Sequence, residues 1–375
     1  MNDLYLNKLS LIQFKNYEEA SLEFSPKINC LVGDNGVGKT NLLDAIHYLS
    51  LTKSFFNNID QQNIQHGKEF FVIQGEFIRN GHAEKIFCSV RQNKKKIVRR
   101  NNKDYERFAD HIGLFPVVMI SPADSSLILE GSEQRRRFMD TVISLYDKQY
   151  LHALIRYNRA LMQRNKLLKQ FEFKRENFWD ELELWDTQLV VPGNEIYRKR
   201  KEFIEKIIPV FQEYYNTIAE EKEQVGLEYR SPLHEQDFER LLAANRDKDR
   251  VMQFTTAGIH KDNLVMTLNG HPLKKTGSQG QQKTFLVALK FAKFGFIRDL
   301  TGTRPVLLLD DIFDKFDAHR VFQIIRMVAR NEFGQIFITD THLEHLENIL
   351  KELDTDYKVF KINEEIKTIL PGKKN

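Results

Sequence analysis

Eight consecutive residues, GDNGVGKT from Gly33 to Thr40, have the types and spacing of a phosphate-binding loop. Its glycines allow the backbone to adopt positive φ and to turn N–H groups towards phosphate oxygens. The Lys39 amine supplies positive charge to the β- and γ-phosphates, and the Thr40 hydroxyl is suited to ligate Mg²⁺. A glycine-rich turn without a ligand is the alternative interpretation. The residues predicted to bind ATP are Gly33, Asp34, Asn35, Gly36, Val37, Gly38, Lys39, Thr40 and Asn41.

The segments on either side of this loop support the nucleotide interpretation. Residues 28–32 (INCLV) form a short apolar run that predicts a buried strand. Residues 41–51 have apolar side chains at helical spacing. A strand, a glycine-rich loop and a helix in this order place phosphate at the N-terminus of the helix.

A pair of carboxylates near the other end of the chain is the second group that indicates chemistry. The apolar run at 305–309 predicts a strand, and Asp310 and Asp311 follow it directly. A strand followed by two acidic residues is typical of a Walker B motif. We predict that Asp310 holds Mg²⁺ through water or through Thr40, and that Asp311 orients or deprotonates the attacking water.

A third group, SQGQQK at 278–283, precedes a predicted amphipathic helix over 281–298. Its serine hydroxyl and the free N–H groups of a helix start make a second anion site. A helix of this length spans about 27 Å, so two anion-binding helix starts are hard to place on one ATP. We therefore predict an ATP-dependent homodimer in which Ser278, Gly280 and Gln281 of each subunit face the γ-phosphate of the other. The predicted catalytic residues are Lys39, Asp310, Asp311 and Ser278.

The distribution of charge indicates a polyanionic partner. The net charge of the 375 residues is only +4, but residues 79–107 contain ten Lys and Arg against three Asp and Glu. Residues 131–175 contain eleven against four. Two concentrated basic segments in an otherwise acidic chain are what a DNA-binding surface requires. Solvated faces of a hairpin and a helix are the alternative interpretation for each segment.

Composition limits the class of protein. No apolar run is long enough to span a bilayer, and the N-terminus does not resemble a signal peptide. The two cysteines, Cys30 and Cys88, lie in predicted strands. We expect free buried thiols, a cytoplasmic location and no membrane partner.

The pattern of elements predicts an α/β fold with an inserted helical arm. The predicted parts are an N-terminal ATPase lobe at 1–130, a helical arm at 131–250 and a C-terminal ATPase lobe at 251–375. Residues 70–105 predict an antiparallel meander with a basic strand at 94–100. Pro192-Gly193 is expected to break the arm into separate helices, and residues 247–250 to form a charged linker.

These features together resemble the SMC/RecF family of ABC-type ATPases, and the RecF-type members most of all. The resemblance covers nearly the whole chain. It rests on LSLIQFKNY near the N-terminus, GDNGVGKTNLLDAIHYL, and SPADSSLILEGSEQRRRFMD from Ser121. It also rests on TTAGIHKDN, TGSQGQQKT and LLLDDIFDKFDAHR, and on the shortness of the arm. The resemblance implies a P-loop ATPase head with a mixed sheet and an antiparallel β subdomain.

The resemblance also implies a function. RecF-type proteins act in DNA repair, replication, recombination and the SOS response to DNA damage. They bind single-stranded and duplex DNA at gaps and junctions, dimerise with ATP, and aid recombinase loading with RecO and RecR. By this resemblance the chain is a weak, DNA-stimulated ATP hydrolase, and Asp317 is a residue of the dimer contact. Either Asp340 or His342 would sense the γ-phosphate. The basic residues that we predict to contact DNA are Lys94, Lys95, Lys96, Arg99, Arg100, Arg135, Arg136 and Arg137. The alternative interpretation is protection of an edge strand from mispairing for the first five, and salt bridging between lobe and arm for the three consecutive arginines.

Three other functions use the same nucleotide motifs. An ABC-type transporter ATPase subunit would require an LSGGQ-like signature, where this chain has SQGQQ. An SMC-like structural ATPase would require hundreds of coiled-coil residues. An ATPase fused to a nuclease would require a further domain, which we do not expect after the last predicted strand.

Overall fold

The computed structural model describes residues 3–170, 177–219, 223–312, 318–329, 333–341, 356–363 and 366–369. The strands are β1 (Leu4–Phe14), β2 (Tyr17–Glu23), β3 (Ile28–Val32), β4 (Phe70–Arg79), β5 (His82–Arg91), β6 (Ile97–Arg100), β7 (Lys103–Asp104), β8 (Val117–Ile120), β9 (Val225–Arg230), β10 (Asn263–Leu268), β11 (His271–Pro272), β12 (Val306–Leu309), β13 (Ile336–Asp340), β14 (Tyr357–Ile362) and β15 (Ile366–Ile369). The α-helices are α1 (Lys39–Leu51), α2 (Ser126–Leu129), α3 (Ser132–Tyr146), α4 (Lys148–Lys169), α5 (Phe178–Ala219), α6 (Phe238–Ala244), α7 (Arg246–Met252), α8 (Leu273–Thr276), α9 (Gln279–Thr301) and α10 (Ala318–Ala329).

A mixed sheet carries the predicted phosphate-binding loop. Its strand order is β15-β14-β3-β13-β12-β8, and all neighbours are parallel except β14 and β15. Every residue of β3, β8, β12 and β13 is buried. Continuous apolar runs are typical of parallel strands that are covered on both faces. The strands predicted at 28–32 and 305–309 are therefore central strands of one sheet.

A second sheet is antiparallel throughout, in the order β2-β1-β4-β5-β6-β7. The β4–β5 hairpin turns at Asn80-Gly81, where both residues have positive φ. Helix α1 packs against strands of both sheets, and Leu43, Ile46 and Leu49 are fully buried there. One apolar core thus includes both sheets and the helix that follows the phosphate-binding loop. Both cysteines are buried free thiols, as the sequence predicted.

By its contacts the chain forms two compact units. The first contains the described residues of Met1–Asp124, Thr217–Glu220 and Leu286–Asn375, and the second contains those of Ser125–Asn216 and Glu221–Phe285. The second unit contains helices α2 to α8 and a three-stranded sheet of order β11-β10-β9. This division counts 251–285 with the helical unit, whereas the sequence analysis counted them with the C-terminal lobe. The three-part division stays a prediction about domains.

The break predicted at Pro192-Gly193 is wrong, since both residues lie inside α5, which is a continuous helix of 42 residues. A proline inside a helix costs about 3 kcal/mol. Burial offsets this cost, because Leu189 and Ile196 on either side are fully buried. The absence of a side chain at Gly193 also serves packing, since a Cβ atom there would lie 2.3 Å from a ring carbon of Phe238.

Two smaller predictions also require correction. The basic strand begins at Ile97, not at residue 94, because residues 92–94 make a turn and bend after β5. The expected linker at 247–250 lies inside helix α7, where Asp249 is buried and accepts a bond from Arg164 at 2.6 Å. The charges of this segment suggested a linker because the buried partner of Asp249 could not be identified from the sequence.

Arg200 is a buried cation of the second unit that joins several of its elements. The Arg200 side chain is 2% exposed and donates to Asp140 at 2.8 Å, to Asp262 at 2.7 Å and to the carbonyl of Ile259 at 2.8 Å. Replacing Arg200 with methionine should lower the free energy of unfolding by about 3–5 kcal/mol, because two carboxylates lose their buried counterion. The change is measured by urea unfolding followed by tryptophan fluorescence, since both tryptophans, Trp179 and Trp185, lie on α5.

The control for this prediction lies two residues away on the same helix. The Arg198 side chain is 58% exposed and pairs with Glu202 at 2.7 Å. An exposed pair of this kind contributes about 0–1 kcal/mol, so Arg198→Met should leave the unfolding midpoint nearly unchanged. Equal destabilisation by the two substitutions would contradict the assignment of Arg200 as a buried ion that stabilises the unit.

Among the described residues, no helix is both long and apolar enough to cross a membrane.

Candidate functional site

The phosphate-binding loop and the acidic residue Asp310 meet at one edge of the mixed sheet. Strands β3, β13, β12 and β8 are consecutive parallel neighbours, so their carboxyl ends lie side by side. The phosphate-binding loop follows β3, Asp310 follows β12, and Ser121 follows β8. Asp340 is the last residue of β13. Ligands of open α/β sheets bind at this edge.

The phosphate-binding loop has the backbone geometry that its glycines predict. Gly36 and Gly38 have φ of 85° and 111°. Gly38 precedes α1, and a Cβ atom there would lie 2.4 Å from the Asn16 amide nitrogen. Asn16 donates to the carbonyl of Val37 at 3.0 Å, and the Tyr17 hydroxyl donates to the carbonyl of Gly38 at 3.1 Å. The β1–β2 turn therefore braces the loop, which the sequence analysis did not anticipate.

Lys39 lies inside the loop. Its amine donates to the carbonyl oxygens of Gly33 at 2.5 Å and Asp34 at 2.8 Å, and the residue is 7% exposed. Burial lowers the pKa of the amine, while the carboxylates of Asp311, Asp310 and Asp340 oppose that shift. The nearby carboxylates of these residues and of Asp34 therefore favour the charged form of the amine, which is the form that binds phosphate oxygens.

Asp310 accepts hydrogen bonds from three hydroxyl groups. Thr40 and Thr339 donate to its Oδ1 at 2.9 Å and 3.1 Å, and Ser121 donates to its Oδ2 at 3.2 Å. Burial raises the pKa of this carboxyl group, and the three hydroxyl donors oppose the shift. The Walker B aspartate and the loop threonine are thus hydrogen-bonded to each other, and the binding of Mg²⁺ by Asp310 stays a prediction.

Asp311, the second acidic residue, has an unusual backbone. Its φ is 47°, in the left-handed region that residues other than glycine rarely adopt. Its N–H donates to the Thr339 hydroxyl at 2.8 Å. The backbone of Asp311 is therefore hydrogen-bonded to the neighbouring strand.

The oxygens at this point fit Mg²⁺ better than a softer metal. A threonine hydroxyl and a carboxylate are hard ligands, and Mg²⁺ normally takes its other ligands from phosphates and water. Among the described residues, no cluster of three or more His, Cys, Asp or Glu forms a site that would hold a metal by itself. The donor set thus suits an ion that arrives with a nucleotide.

The Ser278 segment lies in the second unit and begins α9. The Ser278 hydroxyl accepts from the N–H of Gln281 at 3.2 Å, and the Gln281 side chain accepts from the N–H of Ser278 at 2.7 Å. This reciprocal pair is a capping box. The Gln281 amide also donates to Glu223 at 2.6 Å. Ser278 remains exposed, so the segment is an ordered helix start that presents a hydroxyl to solvent.

The structure changes the set of residues available to DNA. The Lys96 side chain is only 12% exposed, pairs with Asp60 at 2.8 Å, and also donates to the carbonyl of Thr52. Its prediction as a DNA contact is therefore wrong. Arg99 pairs with Asp104, and Arg100 with Glu84, but both side chains remain over a third exposed. Lys94 and Lys95 are exposed in the turn before β6.

The three consecutive arginines of α3 are mainly structural. Arg135 donates to Asn263 at 2.8 Å and to the carbonyls of Leu127 and Glu130. Arg136 donates to the carbonyl of Asp262 at 2.8 Å. The two motifs GSEQRRRFMD and TTAGIHKDN thus bind each other within the second unit. Arg137, which pairs with Glu133 and is 49% exposed, is the arginine of the three that still faces solvent.

Four residues of the site were not predicted. Asn16 and Tyr17 brace the loop, and Ser121 and Thr339 hold Asp310. Ser121 is itself positioned because its N–H donates to Asp124 at 2.9 Å. A polar residue at the end of a buried strand was the available signal for the last two. Asp317 and His342 lie outside the described residues, so their predicted roles stay predictions.

Comparisons with known proteins place this chain in a family. Residues 5–368 match the family described as RecF/RecN/SMC N terminal domain. The chain is 52% identical over 365 residues to the DNA replication and repair protein RecF of Bacteroides thetaiotaomicron, covering 97% of this chain and 98% of that protein. It is 50% identical over 359 residues to RecF of Flavobacterium johnsoniae, covering 96% of this chain and all of the relative.

Solved structures agree with the sequence relatives. The recombination mediator protein RecF-ATP of the RecFOR pathway superposes with a TM-score of 0.88 at 28% identity, over 98% of each chain. An Smc head domain from Pyrococcus furiosus, bound to the C-terminal domain of ScpA, superposes with a TM-score of 0.58 at 17% identity, over 98% of this chain and 96% of that one. The second match concerns the fold alone. The predicted ABC-type head is confirmed.

Proposed function

Since this chain belongs to the RecF/RecN/SMC N-terminal domain family, we propose that it is an ATP-gated DNA clamp of recombinational repair. The chain is an ABC-type ATP hydrolase related throughout its length to DNA replication and repair proteins RecF. In the proposed cycle, ATP closes a homodimer on single-stranded or duplex DNA at gaps and junctions, and hydrolysis releases it. The clamp would act with RecO, RecR and a recombinase in the SOS response.

One observation carries the nucleotide half of this proposal. The Thr40 hydroxyl is bonded to Asp310 at 2.9 Å, although 270 positions separate them in the chain. A loop that holds phosphates and a carboxylate that supports its threonine are the two parts of a hydrolytic P-loop site. Their direct bond supports a working ATPase more strongly than either motif does separately.

The residues present suggest how hydrolysis proceeds. The Lys39 amine would exchange the carbonyls of Gly33 and Asp34 for phosphate oxygens, and the N–H groups of the loop would bind the rest. Mg²⁺, when bound, would be held by Thr40 with Asp310 behind it and would neutralise phosphate charge. Asp311 would orient the attacking water. Because an aspartate is shorter than the glutamate usual at this position in ABC ATPases, we expect slow hydrolysis.

The charge distribution supports the DNA half of the proposal. The turn before β6 presents Lys94 and Lys95 to solvent, and Arg99 and Arg100 on β6 are partly exposed. Such groups bind phosphates without reading the sequence of bases. We therefore propose that this hairpin edge contacts the DNA backbone and that binding is sensitive to salt.

Retention on DNA tests the clamp. In the presence of ATP, wild-type protein should stay on immobilised gapped DNA between about fivefold and a hundredfold longer than without ATP, the range typical of coupled ligands. Lys39→Met should show the short retention under both conditions, because ATP can no longer favour the closed dimer. The Asp311→Asn variant should stay longest on the DNA in the presence of ATP. It should bind ATP but hydrolyse it slowly, so that its release from DNA is delayed. The clamp model would be contradicted if wild type and Lys39→Met stayed on the DNA equally long, with and without ATP.

Salt dependence tests the hairpin separately. The Lys94→Ala/Lys95→Ala double variant should reduce the slope of log affinity against log salt by about 1–2. The matched control is Lys8→Ala, since Lys8 is a β1 lysine with a 45% exposed side chain outside both basic segments. An unchanged slope in the double variant would contradict the proposed contact between the hairpin and DNA. It would not contradict the ATP-gated clamp.

A further inference from the structure

One hydroxyl group, that of Thr339, contacts both members of the acidic pair. Thr339 is the fourth residue of β13, and the register pairs Ile338 with Leu309 of β12. Thr339 and Asp310 therefore follow paired residues on adjacent parallel strands. Thr339 is 1% exposed, so water does not compete for its hydrogen bonds.

The chemistry of a hydroxyl allows these two bonds together. A threonine hydroxyl has one donor and two acceptor positions. Here it donates to Asp310 Oδ1 at 3.1 Å and accepts from the Asp311 N–H at 2.8 Å. A single atom thus joins the side chain of one acidic residue to the backbone of the next.

The bonds from Thr339 to Asp310 and to Asp311 differ in whether other residues make a similar contact. Asp310 also accepts hydrogen bonds from Thr40 and Ser121, so two donors would still hold its side chain if the Thr339 hydroxyl were lost. The left-handed backbone of Asp311, with its φ of 47°, is strained for a residue with a side chain. Such a conformation persists only where the surroundings fix it, and the Thr339 hydroxyl is the bond that its N–H makes to the adjacent strand.

We propose that Thr339 is a positioning residue for ATP hydrolysis, which holds the backbone of Asp311 in the conformation that aims its carboxylate. The proposal rests on the role of Asp311 in orienting water, which belongs to the proposed function above. Because Thr339 would act through Asp311 and not on the nucleotide, its loss should lower kcat and leave the affinity for ATP nearly unchanged.

Substitutions at Thr339 separate positioning from packing. Thr339→Val keeps the shape and removes the hydroxyl, and Thr339→Ser keeps the hydroxyl and removes the methyl group. Thr339→Val should lower the single-turnover hydrolysis rate between about tenfold and a hundredfold, as expected for a misplaced catalytic group. Its affinity for a fluorescent ATP analogue should stay within about threefold, since the phosphate contacts lie in the loop. Thr339→Ser should keep most of the rate.

Two further variants serve as comparisons. Ser121→Ala removes one donor to Asp310 without touching Asp311, so its effect on kcat should be smaller than that of Thr339→Val. Thr368→Val replaces an exposed threonine of β15 in the same sheet and should behave as wild type. If Thr339→Val does not fold, Thr339→Ala takes its place, and it should lose the rate that Thr339→Ser keeps.

The outcomes decide between this proposal and the proposal on which it rests. Wild-type hydrolysis by folded Thr339→Val, or an equal loss in Thr339→Ser and Thr339→Val, would overturn the positioning role. A loss of ATP affinity as large as the loss of rate would also overturn it. If Asp311→Asn hydrolyses ATP like wild type, the assigned role of Asp311 is wrong, and a slow Thr339→Val would then have to act through Asp310 alone, which also overturns this proposal.

Discussion

Replacing Lys39 with methionine should reduce ATP hydrolysis by at least about a hundredfold, the usual result of removing one preorganised electrostatic contact to a reacting group. Methionine is similar in length and apolar volume, so the packing around the 7% exposed side chain is largely kept. What disappears is the positive charge beside Asp310, Asp311 and Asp340. Without it, the nucleotide phosphates would face these carboxylates without the ammonium group of the loop. The measurement is steady-state phosphate release together with the affinity for ATP.

Two substitutions make this result specific. Lys8→Met removes a surface ammonium that pairs with Glu23 at 3.4 Å, and it should leave hydrolysis unchanged. Lys39→Arg keeps the charge but adds a planar group that the enclosed position cannot accommodate, so it should fail nearly as badly as methionine. Hydrolysis by Lys39→Met within a few-fold of wild type would contradict the assignment of residues 33–40 as the catalytic phosphate loop.

Mixing two inactive variants should restore activity if Ser278 acts across a dimer. One variant is Lys39→Met, which damages the loop and leaves Ser278 intact. The other is Ser278→Glu, whose carboxylate would repel a γ-phosphate but is well tolerated at a helix N-terminus. In a mixed dimer, one of the two sites combines an intact loop with an intact Ser278. Random pairing puts half of the subunits in mixed dimers, so the mixture should recover up to about a quarter of wild-type hydrolysis.

The matched control uses two defects in the same half of the site. Lys39→Met and Asp310→Asn both damage the loop side, and the bond from Thr40 to Asp310 shows that these residues belong to one cluster within a chain. A mixed dimer of these two variants contains no intact site, so mixing should recover nothing. Recovery in this control, or none with Ser278→Glu in the presence of ATP-dependent dimers, would argue against action in trans.

The residues that we propose to perform chemistry could be predicted from the sequence because their signals are local. The backbone demands of a phosphate-binding loop are met by eight adjacent residues, and an acidic pair directly after an apolar run needs no distant partner to be recognised. The central strands were predictable for a similar reason. Strands such as β3 and β12 are buried on both faces, and this requirement appears as an unbroken apolar run.

The limits of prediction lie where burial or a distant partner decides the result. Proline was expected to end a helix at Pro192, because propensity is a property of one residue, yet α5 continues through it with buried neighbours on both sides. Lys96 and Arg135 were read as DNA contacts from charge alone. Asp60 and Asn263 bind them instead, and no local pattern shows which carboxylate or amide an arginine or a lysine will meet.

The phosphate-binding loop, the acidic pair and the serine at the start of α9 were thus determined by the sequence itself. Each is a short run of residues whose backbone requirements appear in its own residue types. Only the tertiary structure decided that hydroxyls from α1, from β13 and from the residue after β8 converge on Asp310, and that one of them also bonds to the backbone of Asp311. The physical reason is the parallel sheet, because its register places the ends of strands far apart in sequence within hydrogen-bonding distance.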